Sequence, residues 1–125
     1  MTKTKEMEEL AELTGMVFSA RSVEMQRLSA REQKLRDRYE TLEKQRQTAQ
    51  GQAEDVLSQR LTGLDVLYQM WVGRQMAAIN TELAQVLAEK EMRLQNLRTA
   101  FGKKEVALQL LRQQKAIKRP AGQDW

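Results

Sequence analysis

Neighbouring carboxylates are the residues of this chain that come nearest to a catalytic arrangement. Glu54 and Asp55 are adjacent, and Glu89 and Glu91 are two residues apart. Paired carboxylates can divide acid and base roles between them, but a cleft must first push their pKa values apart. The apolar residues of this chain form a long, narrow stripe, which encloses no cleft. The sequence therefore predicts that the protein is not an enzyme.

Histidine and cysteine are absent from all 125 residues. This excludes Ser-His-Asp and Cys-His catalysis and any disulfide framework. It also removes the usual ligands of zinc, copper and haem. Neither G-x-x-x-x-G-K-[ST] nor G-x-G-x-x-G occurs, so the chain binds no nucleotide by those devices. We expect no metal and no cofactor.

The aromatic cluster Tyr68-Gln69-Met70-Trp71 could bind a partner. Tyr and Trp are favoured at interaction hot spots, and two packed helices cannot bury a whole Trp. The alternative is that these rings plug the end of a helical pair. Both interpretations remain open from the residues alone.

Basic residues are concentrated near the C-terminus. Residues 1–62 carry 11 Lys and Arg against 11 Asp and Glu, whereas residues 63–125 carry 10 against 6, which gives the net charge of +4. The basic group comprises Lys103, Lys104, Arg112, Lys115, Lys118 and Arg119. It could be a solvated face or dock onto an acidic protein surface. Nucleic acid is disfavoured because no aromatic residues are interleaved and no known module is present.

A seven-residue spacing of apolar side chains sets the fold class. The spacing connects Leu28, Leu35, Leu42, Ala49 and Val56. Such a repeat, with charges elsewhere, is typical of a coiled coil. The composition, 41% apolar but 5% aromatic and 30% charged, suits helices that each bury a narrow seam. We predict an all-α fold, a long two-helix antiparallel coiled coil.

The predicted register brings together residues whose numbers sum to 118. It pairs Leu35 with Leu83 and Leu42 with Met76, and it places Tyr39 level with Ile79. We predict one domain over residues 1–119, with helix 1 at about 4–56, a turn within 55–63 and helix 2 at about 63–118. Pro120 ends helix 2, and residues 120–125 form a flexible tail. Gly51 is either a bend or a tolerated helical glycine.

The same register extends to the chain ends. It predicts an inner face of helix 1 formed by Leu10, Leu13, Val17 and Ala20, reached by an 11-residue step from Val17 to Leu28. The partners on helix 2 belong to the series Leu94, Leu97, Phe101, Leu108 and Leu111. Leu10 would then face Leu108, and Val17 would face Phe101.

The N-terminus has no apolar signal core, and no stretch of 18 apolar residues occurs. The expected location is the cytoplasm.

The segment from Tyr68 to Arg112 also resembles a known family. The similarity covers Tyr68-Gln-Met-Trp71-Val-Gly-Arg74-Gln-Met-Ala-Ala78-Ile79, Leu83, Glu91-Met-Arg93-Leu94-Gln-Asn-Leu97 and Ala100 to Leu111-Arg112. It is similar to the second helix of the FliJ/YscO family, stalk proteins of bacterial flagellar and virulence type III export machines. About 50 residues match well, and the first helix matches by length and pattern.

The resemblance implies a non-enzymatic stalk, similar to the central stalk of rotary ATPases. It implies that the end with both termini enters a hexameric export ATPase, and that the turn end contacts the cytoplasmic domain of the export gate. Export chaperones are further candidate partners, and membrane association would be peripheral, through the export apparatus. The gate contact would map to Tyr39, Leu42, Tyr68, Trp71 and Ala78, and the ATPase contact to the basic residues. A structural scaffold or chaperone-like adaptor with no export role is the alternative.

Overall fold

Two long α-helices make up the protein. The computed structural model describes residues 2–55 and 63–118. Helix α1 spans Thr2–Asp55 and helix α2 spans Leu64–Lys118. The chain is an all-α helical hairpin in which the two helices pack against each other, as the apolar spacing predicted. The predicted turn falls largely on residues 56–62, which lie outside the described residues, as does the tail at 120–125.

The glycines near the turn differ in conformation. Gly51 lies within α1, and a Cβ added there would have no neighbour within 4 Å. Gly63 precedes α2 with a φ of +72°, in the region that side chains other than glycine rarely adopt. Its carbonyl oxygen accepts a hydrogen bond of 3.1 Å from the amide of Leu67, and this bond lies at the start of α2. Gly63 therefore sets the entry into α2.

Contacts divide the chain into two units. The turn unit comprises residues 28–89, and the terminal unit comprises the described residues 2–27 and 90–118. Whether residues 1–119 behave as the single predicted domain stays a prediction.

The turn unit has the apolar core of the hairpin. Its core cluster contains Leu35, Leu42, Val72, Met76, Ile79 and Val86, with Tyr39, Tyr68 and Leu83 packed against it. All the pairs predicted for this unit have both members in that cluster. Most of the partly or fully buried residues follow a seven-residue spacing, with Leu28, Glu32, Leu35, Tyr39, Leu42, Arg46 and Ala49 on α1. On α2 they are Asp65, Gln69, Val72, Met76, Ile79, Leu83 and Val86.

The terminal unit keeps the same spacing with different chemistry. Its seam contains Thr4, Met7, Ala11, Thr14, Phe18, Arg21 and Met25 on α1. On α2 it contains Lys90, Arg93, Leu97, Ala100, Lys104, Ala107, Leu111 and Gln114. The antiparallel direction is fixed by two contacts, the ring of Phe18 against that of Phe101 and the ion pair of Arg93 with Glu24 at 3.3 Å.

The predicted inner face of helix 1 was wrong in the terminal unit. Leu10, Leu13, Val17 and Ala20 are exposed, and the partly buried residues are their neighbours on the adjacent face. The predicted 11-residue step is therefore wrong, and Phe101, expected opposite Val17, packs against Phe18. Within this unit the partly buried positions of α1 keep the seven-residue period through Arg21, Thr14 and Met7, although Arg21 and Thr14 are polar.

One polar residue of the terminal seam is satisfied by its own helix. The hydroxyl of Thr14 donates to the carbonyls of Leu10 and Ala11, at 2.8 and 3.1 Å. Local bonds of this kind remove the cost of burying a lone hydroxyl. The terminal seam is more polar than the core of the turn unit, where the buried side chains are larger and apolar.

Candidate functional site

The start of α2 exposes an aromatic side chain next to the core. Trp71 is 50% exposed, whereas the next residue, Val72, is fully buried. The ring of Tyr68, one turn earlier, stacks on that of Trp71 with centroids 6.3 Å apart and planes inclined by 28°. Tyr68 packs against the core and Trp71 is half exposed, and the binding of a partner by these rings stays a prediction.

The five residues assigned to the gate contact have different environments. Trp71 and Ala78 are exposed on α2, while Tyr39 and Tyr68 are partly buried against the core. Leu42 is buried within the core cluster. Leu42 is therefore positioned to support the surface from beneath and not to present its own side chain to a partner.

A cavity of about 740 Å³ lies beside the two rings. Its lining comprises Gln45, Thr48 and Ala49 from α1 and Leu64, Asp65, Tyr68 and Trp71 from α2. The cavity can be explained by the sequence. Ala49 occupies a seam position, and its small side chain fills little of the space between the helices. This volume lies within the usual range of ligand sites.

Asp65 lies in the first turn of α2, and its Oδ1 is buried without a hydrogen-bond partner among the described residues. The cavity residues Gln45, Thr48, Ala49, Leu64 and Asp65 were not predicted as a site. The signal in the sequence that could have indicated this site is a small residue, Ala49, on the seam of α1 together with an acid, Asp65, at the start of α2.

The basic residues of the C-terminal part are not equivalent. Lys103, Arg112 and Lys115 are exposed on α2. Lys104 lies on the seam, with its ammonium 4.7 Å from the centroid of the Phe18 ring, a cation–π contact. Nothing is described for the side chain of Lys118, and Arg119 lies outside the described residues. Lys104 therefore contributes to packing, whereas Lys103, Arg112 and Lys115 are each exposed to solvent.

Exposed apolar side chains cover part of α1 in the terminal unit. We call this surface the α1 stripe; its members are Leu10, Leu13, Met16, Val17 and Val23. The most exposed are Leu13 at 58% and Met16 at 63%. An exposed apolar surface of this kind commonly marks an interaction site.

The described residues hold no group of three or more His, Cys, Asp or Glu side chains that could bind a metal ion. Within the same residues, neither helix has an apolar stretch long enough to cross a bilayer.

The protein is a two-helix hairpin. The turn unit exposes the aromatic ring of Trp71, and the terminal unit exposes basic side chains on α2 and the α1 stripe on α1. Comparison with known protein families, curated proteins and solved structures gave no significant match.

Proposed function

We propose that this protein is a non-enzymatic coupling stalk of a bacterial type III export apparatus, flagellar or of the virulence kind. It would bridge a hexameric export ATPase and the cytoplasmic domain of the export gate, on the cytoplasmic side of the membrane. The observation that carries the proposal is the half-exposed Trp71, held next to a rigid core at the turn end of a two-helix hairpin. The residues around it are those that carry the resemblance to the FliJ/YscO family.

The gate contact is assigned to the turn unit. Trp71 offers a large apolar ring whose neighbour, Val72, is locked in the core. An aromatic side chain held in place loses little conformational freedom on binding, which is why such residues dominate interface energetics. Ala78 is exposed two turns further along α2 and permits close approach of a partner.

The ATPase contact is assigned to the terminal unit. This unit has the exposed basic residues Lys103, Arg112 and Lys115 on α2 and the α1 stripe on α1. Basic residues steer binding to an acidic surface, and apolar residues supply the affinity once the surfaces touch. The stalk would act mechanically, by promoting ring assembly or ATP turnover, with no chemistry of its own.

The ATPase contact is tested by pull-down with the export ATPase of the same organism, with ATP turnover recorded in parallel. We expect binding and increased turnover, both lost when Lys103, Arg112 and Lys115 are changed to Glu. The matched control reverses Arg31, Lys34 and Arg38, three exposed residues of the turn unit, and should retain both. No binding by the unaltered chain, or equal loss in both triple variants, would refute this contact.

The gate contact is tested by titrating the cytoplasmic domain of the export gate against the chain. Trp71→Ala should weaken binding at least tenfold while the helical content stays unchanged. Unaltered gate binding and export in this variant would remove the gate assignment.

A scaffold or adaptor that self-associates is the second candidate, and the α1 stripe is the observation that favours it. Sedimentation at increasing concentration separates the two. A stable dimer or larger assembly, dissociated by polar substitutions in the stripe, would favour the scaffold. Monomeric behaviour at high concentration would favour the stalk.

A further inference from the structure

The cavity beside Trp71 combines an acid with two aromatic rings. Among the described lining residues Asp65 is the only charged one, and it brings one formal negative charge. Gln45 and Thr48 add neutral polar groups, while Ala49, Leu64 and the two rings provide apolar walls. The lining is therefore suited to a ligand with a positive head and an apolar stem.

The carboxylate of Asp65 has unused hydrogen-bonding capacity. Oδ1 is buried and accepts no bond from the described residues. A buried acceptor without a partner is costly, and a charged donor recovers that cost with one of the stronger hydrogen bonds in proteins. A ligand that brings an N–H group into the cavity would therefore favour a rotation of the Asp65 side chain that turns this oxygen toward the ligand.

The ring pair favours a planar cation over a point charge. Tyr68 and Trp71 are stacked with planes 28° apart, and half of the Trp71 surface is open. A guanidinium stacks on such rings and at the same time donates two N–H bonds to a carboxylate, which an ammonium cannot do. Arginine is the side chain that matches both features.

We propose that this cavity binds an arginine side chain from a segment of the gate partner, with the guanidinium on Asp65 and against the rings of Tyr68 and Trp71. The partner's identity rests on the proposed function, but the arginine pocket does not. At about 740 Å³ the cavity exceeds one side chain, so it also accommodates residues that flank the arginine.

The chain has basic residues of its own near the turn. Lys44 forms an ion pair with Glu40 at 3.0 Å. Arg46 has its Nε buried without a partner among the described residues, and Arg60 lies outside them. Arg46 and Arg60 are therefore the internal competitors that a test must address.

The test uses the full chain and N-acetyl-arginine methylamide as the probe. The neutral isostere N-acetyl-citrulline methylamide is the matched control ligand. Trp125→Phe leaves Trp71 as the sole tryptophan, whose indole N–H resonance then reports binding. We expect a saturable shift with the arginine probe and at least tenfold weaker binding of citrulline.

Two variants test the cavity, and a third is the control. Asp65→Asn should weaken binding of the arginine probe at least tenfold, and Ala49→Leu should remove it by filling the space. Asp37→Asn removes an exposed carboxylate of the same unit and should leave binding unchanged. Circular dichroism of each variant shows whether the helices persist, and two independent cavity variants keep the test valid if one of them unfolds.

Three results would overturn the pocket: no saturable shift with the arginine probe, equal affinity for citrulline, or unchanged binding in Asp65→Asn. A tenfold gain of affinity in Arg46→Gln or Arg60→Gln would instead identify an internal arginine as the occupant and also overturn it.

The same variants separate this inference from the proposed function. If the gate domain binds and Asp65→Asn has no effect on it, the pocket is not used by the gate and the inference fails while the stalk proposal stands. If the probe binds through Asp65 but the gate does not bind at all, the stalk proposal fails and the arginine pocket stands.

Discussion

The ring of Phe18 packs against that of Phe101 across the two helices, with centroids 5.6 Å apart and planes inclined by 54°. Tilted packing of this kind brings the edge of one ring to the face of the other, which their quadrupoles favour. Lys104 approaches the same Phe18 ring, at 4.7 Å from its centroid. The Phe18 ring therefore has one aromatic and one cationic neighbour on α2.

We expect Phe18 and Phe101 to be energetically coupled. A double-mutant cycle with Phe18→Leu and Phe101→Leu should give a coupling of about 0.5–1.5 kcal/mol, measured by urea unfolding. The control pair Phe18→Leu with Leu83→Ala joins residues of different units and should be additive. Additivity in the aromatic pair would contradict the contact.

Truncation of Val72 should destabilise the protein more than truncation of Trp71. Val72→Ala creates a cavity in the core and should cost about 2 kcal/mol of unfolding free energy. Trp71→Ala removes a half-exposed ring and should cost less than about 1 kcal/mol. Thermal unfolding of the two variants measures this directly, and a larger loss for Trp71 would place its ring in the core.

Two glycines near the turn should give opposite results with alanine. Gly63 has a φ of +72°, so Gly63→Ala should destabilise the protein by about 1–2 kcal/mol. Gly51 is helical with open space around it, so Gly51→Ala should stabilise by about 0.5–1 kcal/mol. Chemical denaturation of both variants is the measurement. Equal effects would contradict the different backbone conformations of the two residues.

Polar substitution of the α1 stripe should be tolerated. Leu13→Gln and Met16→Gln should each change the unfolding free energy by no more than about 0.5 kcal/mol, because both side chains are mostly exposed. Ala107→Gln forces a long polar side chain into the seam and should cost about 1–3 kcal/mol. A large loss on substituting Leu13 would show that the stripe is buried in the folded protein.

The fold class followed from the sequence because in the middle of the turn unit a run of large aliphatic residues lies on the seam itself. Leu28, Leu35 and Leu42 mark the correct face, and their predicted partners Leu83 and Met76 lie in the same core. At these positions hydrophobicity and seam position agree, so the apolar spacing is sufficient to identify the face.

In the terminal unit, hydrophobicity and seam position disagree. The bulky residues Leu10, Leu13 and Val17 lie outside the seam, while Thr14 and Arg21 lie on it. The burial of a residue there follows the seven-residue period and the Phe18 contact, which a local count of apolar residues does not detect. The cavity could not be predicted for a similar reason. In the sequence Ala49 is one more apolar residue of the repeat, and whether it leaves a space depends on the residues of α2 that lie opposite it.

Buried apolar bulk is unequal along the hairpin, and this bears on how each unit opens. Among the described residues, the fully buried apolar side chains of the terminal unit are the two alanines Ala100 and Ala107, whereas the turn unit has valine, leucine, isoleucine and methionine. Backbone amides in the terminal unit should therefore exchange with solvent deuterium sooner, through local separation of its helices. A protein that binds this unit would slow that exchange. The affinity of such a partner could therefore be measured from the hydrogen-exchange protection of the amides along Thr2–Arg27.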